Sequence, residues 1–162
     1  MSRTTPVLFG EAMFWADEVA LGVLFVEAAR IAEEVPPEQR MPWSEGLVRT
    51  LRVDAIMGHN HAVPLDEFCV EARQAVLSWL AEAASRYVAR GGVSRAAVEQ
   101  WDVLDGYTVP IRGTGHLDPG PLVELAQAVA DLVAGTLPAA PEGRYWYSGT
   151  PAGRVLQGGP RD

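Results

Sequence analysis

Apolar residues along most of the chain recur at three- and four-residue spacing, the period of a helix that buries one face. The run from Val19 to Val26 is apolar on every side, which marks the central helix of the fold. That first helix is predicted from about Gly10 to Glu34, stopped by Pro36 and Pro37, because proline cannot continue the backbone ladder. A second is predicted from Ser44, as N-cap, to near Gly58, with Trp43 and Val48 spaced as a hydrophobic staple. A third begins at Asp66 and ends at Gly91 and Gly92, burying Leu65, Cys69, Ala72, Val76, Leu80, Ala83 and Tyr87. Its wet side carries Glu67, Glu71, Gln74, Ser78 and Glu82. A shorter fourth helix runs from Ser94 to around Asp105. The fifth has Asp118 as N-cap and Pro119 at the first helical position, buries Leu122, Leu125, Ala126, Val129, Leu132 and Val133, and ends at Gly135.

Two stretches read differently. Tyr107-Thr-Val-Pro-Ile111 is β-like, and Pro110 restricts it to an edge. Arg144–Ser148 and Arg154–Gln157 are expected to pair as a hairpin around Gly149–Gly153, with Tyr145 and Tyr147 on one face and Trp146 on the other. The expectation is a mainly α fold: one helical domain over 1–162, a five-helix bundle-like all-α core with a small β element (edge strand plus C-terminal hairpin). Residues 158–162 are read as a disordered tail.

Composition narrows the function classes. A chain of 162 residues with 48% apolar and 21% charged residues has enough core to fold without disulfides. The single cysteine, Cys69, and an N-terminus without a secretory signal point to a bacterial cytoplasm. No apolar run reaches the roughly 18–20 residues of a membrane span. The net charge of −8 opposes nucleic acid and anionic membranes, since like charge repels phosphate. All thirteen basic residues are arginine, so no pyridoxal phosphate attachment and no P-loop nucleotide site is expected.

Candidate chemistry begins with the three histidines, all in loops. His59 and His61 flank the only asparagine between the second and third helices, and His116 precedes the fifth. If helices one to four alternate in direction and the Tyr107–Ile111 segment does not carry the chain to the far side, these loops share one end of the bundle, where two helix N-termini favour an anion. His59, His61 and His116 are therefore the candidate catalytic residues, and His59 with His61 a candidate metal pair. Spacing supplies no third ligand, and histidines in surface turns are commonly just solvated. Arg112 and Asp118 bracket the His116 loop and join Tyr145, Trp146 and Tyr147 as candidate binding residues. Cys69, on an apolar stripe, reads as core packing. Glu11, Asp17 and Glu18 read as the wet N-terminal face of the first helix, the alternative being a desolvated general acid.

Two functions from different classes follow. The first is a non-catalytic binding protein for a protein partner or small ligand, its acidic surface suited to a basic partner. The alternative is a small enzyme using the histidine cluster, either metal-dependent or by general acid/base chemistry. A homodimer burying the aromatic surface is a third reading.

Overall fold

Residues ahead of the central helix alternate rather than spiral. The computed structural model describes residues 3–158, and in it β1 (Thr4–Phe9) and β2 (Ala12–Asp17) form an antiparallel hairpin. Gly10 turns the chain at a φ of +58°, a conformation that favours glycine. The predicted start of the first helix at Gly10 is thus corrected: α1 runs Glu18–Glu34. Asp17 fixes that boundary, because its Oδ1 accepts from the backbone N–H of Val19 at 3.1 Å and of Ala20 at 3.0 Å.

The remaining helices are α2 (Ser44–Met57), α3 (Val70–Arg90), α4 (Arg95–Glu99) and α5 (Pro119–Ala134). β3 (Val63–Pro64) runs parallel to β1. β4 (Val93–Ser94) pairs antiparallel with β5 (His116–Leu117) as a separate clip. β6 (Arg144–Thr150) lies parallel to β2 and antiparallel to β7 (Gly153–Gly158), which completes a mixed five-stranded sheet in the order β3-β1-β2-β6-β7. The fold is therefore an α/β mix, and the all-α, mainly helical bundle is overturned by this sheet. The C-terminal hairpin forms where expected, but as part of the main sheet rather than an appendage. The tail read as disordered lies outside the described residues except for Gly158, the last residue of β7.

Other boundaries shift for local reasons. Residues Leu65–Glu67 make a 3-10 turn, so α3 starts at Val70 and Cys69 is exposed instead of packed. The fourth helix ends by Glu99, far short of Asp105. The stretch expected as an edge strand, 107–111, is irregular: Val109 is fully buried while Tyr107 is 67% exposed.

One face of the sheet carries Thr5, Val7, Phe14, Ala16 and Ser148 against the helices. Fourteen of the seventeen residues of α1 are buried, so this helix is the axis of the core. Gly22 lets α2 and the 107–111 stretch approach it: a Cβ there would lie 2.7 Å from Val109 Cγ1 and 3.0 Å from the Ala55 carbonyl oxygen. Glu27, 2% exposed, joins α1 to α3 through Arg90 at 3.0 Å, with Arg30 at 3.5 Å and Arg86 at 3.7 Å. The Tyr87 hydroxyl donates to the Val23 carbonyl in the same seam at 3.2 Å. Arg154 ties β7 to α5, bonding Glu124 and Asp131 at 2.8 Å each, and Ser148 donates to Glu124. Among the described residues, no helix is long and apolar enough to cross a membrane.

Candidate functional site

Glu18 opens α1 and is 2% exposed, so its reading as a wet helix end is corrected. The 58–60 turn after α2 closes over it, with Gly58 at a φ of +55°. A Cβ on Gly58 would sit 2.8 Å from Glu18 Oε2, so glycine is what permits the approach. His59 then meets this oxygen twice, donating its backbone N–H at 3.1 Å and placing Nδ1 2.9 Å away. Arg3 brings Nη1 beside the ring, 2.9 Å from His59 Nε2 and 3.3 Å from Nδ1. The carboxylate at Nδ1 places a ring proton on that nitrogen. Arg112 approaches the other carboxylate oxygen, Oε1, at 3.6 Å, and that buried oxygen accepts no hydrogen bond.

His61, two residues on, turns to α2. Its Nε2 lies 2.9 Å from Oδ1 of the buried Asp54, within ion-pair distance but off the line of a hydrogen bond. Burial pushes the Asp54 carboxyl up to about 6, with nearby Glu67 adding to the rise and the His61 imidazole opposing it. His116 takes a third direction. Its Nε2 donates to the Gly91 carbonyl, the cap of α3, at 2.6 Å. Among the described residues no hydrogen bond joins two of the imidazoles, and no group of three or more His, Cys, Asp or Glu is arranged to hold a metal ion.

His59 and Arg112 nonetheless meet on Glu18, which lines a cleft of about 340 Å³ with Arg3, Arg95 and Arg112 around it. A smaller hollow of about 70 Å³ shares Arg95 and Asp17 and adds His116 and Asp118. Asp118 holds the N-cap position of α5 but makes no capping bond with its side chain. Arg112 and Asp118 thus come to neighbouring hollows, while His61 stays with Asp54. Sequence reasoning missed Arg3, Arg95 and Asp54. Only Glu18, standing directly before the apolar run, carried a signal of burial. Another surface hollow, about 510 Å³ between the end of α1 and the start of α2, is lined by no histidine.

The aromatic candidates divide as alternation requires. Trp146 turns toward the core, its indole N–H donating to the Pro138 carbonyl at 2.6 Å. Tyr145 and Tyr147 point to the opposite face. Cross-strand pairing places Trp15 beside Tyr147, Pro6 beside Trp15, Leu8 beside Met13 and Val155 beside Tyr147 on that face. All of these are half-buried and stand apart from the hydrophobic core, whose helices lie on the other side of the sheet. Comparisons with protein-family models, with curated proteins and with solved structures give no match.

Proposed function

We propose that the protein is a non-catalytic binding module that docks a basic protein on the open face of its sheet. The observation that carries this reading is the row Leu8, Met13, Trp15, Tyr147 and Val155, apolar side chains on four adjacent strands that belong to no part of the core. Tyrosine and tryptophan presented on rigid strands give large contact area with little side-chain entropy to lose. A catalytic reading has less behind it, because His59, His61 and His116 are each engaged by a different partner.

Charge favours a different protein over a second copy. The face spans four strands at about 4.8 Å and four to five residues at about 3.3 Å, a footprint of roughly 300 Å². A stable protein complex buries about 800 Å² on each partner, so a docked protein reaches past this face onto the rim around it. Two copies bring a charge of −8 against −8. A basic partner is instead drawn in by the field and adds charged contacts at the rim.

A photo-crosslinking phenylalanine in place of Tyr147 is expected to trap a basic protein in cells, while the same group in place of the exposed Tyr107 does not. Tyr145→Ala and Tyr147→Ala are each expected to weaken the captured pair at least tenfold, with the melting temperature held within about 3 °C. Equal trapping at both positions, an adduct with a second copy, or an acidic partner defeats the proposal.

A further inference from the structure

The cleft above Glu18 inverts the charge of the molecule. In a chain of net charge −8, three guanidiniums converge on it from distant parts of the sequence: Arg3 from the start of β1, Arg95 from the start of α4, and Arg112 from the loop before β5. Several of the other arginines are taken up by carboxylates, as Arg86 and Arg90 are by Glu27, Arg52 by Glu33, and Arg154 by Glu124 and Asp131. Among the described residues Arg3 and Arg95 have no carboxylate within ion-pair distance, and Arg112 reaches one only at 3.6 Å through Nε.

Their placement is built. Arg95 is half-buried; its Nη1 donates to the Arg112 carbonyl at 3.0 Å, and its backbone N–H donates to Gly115 at 3.0 Å. That pair of bonds holds the 112–115 loop and the Arg95 guanidinium together, and among the described residues Nε and Nη2 of Arg95 have no acceptor. The Arg112 contact with Glu18 runs through Nε, and among the described residues its terminal nitrogens have no acceptor. At the floor, Glu18 is 2% exposed and its buried Oε1 accepts no hydrogen bond. The lining sets two carboxylates, Glu18 and the α1 cap Asp17, against the three guanidiniums, so the cleft keeps a net positive charge.

We infer that this cleft binds a small molecule through an oxyanion, a carboxylate or phosphate, held by Arg95 and Arg112 with Arg3 closing from the strand side. Planar guanidinium forks match the paired oxygens of either group, and a half-buried fork without a carboxylate is the arrangement such a ligand completes. A volume of about 340 Å³ suits a small metabolite and excludes a folded chain. The site is separate from the open sheet face, so the two proposals stand or fall independently.

The test is a titration of the full chain with sodium phosphate and, separately, sodium acetate, followed by amide NMR at constant ionic strength held with chloride. Saturable shifts at Val19, Arg95 and Gly113 are expected for at least one anion, and which one saturates tells a phosphoryl ligand from a carboxylate. Arg95→Gln and Arg112→Lys are each expected to weaken that binding at least tenfold, and Arg49→Gln, outside the cleft, to leave it unchanged. Arg112→Lys keeps a positive charge near Glu18, so a folded spectrum accompanies the loss. Shifts that stay linear, that chloride reproduces, or that survive both cleft substitutions overturn the inference.

Discussion

Gly92→Ala is expected to lower the melting temperature by about 6–12 °C, the equivalent of roughly 3 kcal/mol in a domain of this size. Gly92 follows the left-handed cap of α3 and closes the helix by donating its N–H to the Tyr87 carbonyl at 2.8 Å. Its φ is +94°, and a Cβ there would lie 2.1 Å from the Leu117 carbonyl oxygen and 2.8 Å from His116 Nε2. The first obstacle is backbone, so relief requires parting β4 from β5, the clip that pairs Val93 with Leu117 and Ser94 with His116. Gly91 supplies the control. It is also left-handed, at +74°, but a Cβ there meets nothing within 4 Å. Gly91→Ala is therefore expected to cost only about 1 kcal/mol, or roughly 2–4 °C. Equal shifts for the two variants, measured by thermal denaturation, would show that backbone conformation and not the close approach decides the effect. The consequence reaches the cleft, because His116 and the loop before it are held in place by this clip.

Much of the helical half of the molecule is legible in the sequence, because caps and periodicity are local. Pro36 and Pro37, Gly91 and Gly92, and Asp118 with Pro119 mark ends that the structure keeps. The sheet is not legible in the same way. β2 carries Phe14 and Ala16 toward the core and Met13 and Trp15 toward the open face, so both sides are apolar and the alternation that signals a strand is erased. Such a run imitates the start of an all-round apolar helix, and it adjoins one. Pairing of β2 with β6 joins Trp15 to Tyr147 across more than half the chain, a contact with no local signature. Cys69 is exposed although it falls on the apolar stripe of α3, because the 65–67 turn changes the rise and angle per residue and breaks the helical period before Val70. The site divides along the same line. Arg112 and His59 stand in conspicuous loops, whereas Arg3 and Arg95 matter only because the hairpin and the β4–β5 clip bring distant segments together.

The second large effect belongs to a residue that no pattern singled out. Asp54 is 5% exposed, and removal from water raises its carboxyl from 3.8 to about 6. The folded chain therefore keeps this proton at pH values where the unfolded chain has lost it. Between about pH 4 and pH 6 the folded state binds more protons, so this group's contribution to stability falls as pH rises through that window. Above pH 6 the full cost of a buried carboxylate is present, with the His61 imidazole at 2.9 Å offsetting part of it. Asp54→Asn keeps the shape and removes the charge. It is expected to gain about 1–3 kcal/mol at pH 7.5, a rise of roughly 3–10 °C, and to change little at pH 4. His61→Gln is expected to act oppositely, lowering stability at pH 7.5 because the carboxylate loses the imidazole beside it. Melting temperatures of both variants across pH 4–8 check the argument. A loss of stability for Asp54→Asn at pH 7.5 would mean that attraction to His61 exceeds the cost of burial, and the 54–61 pair would then be a clamp holding the His59 turn over Glu18.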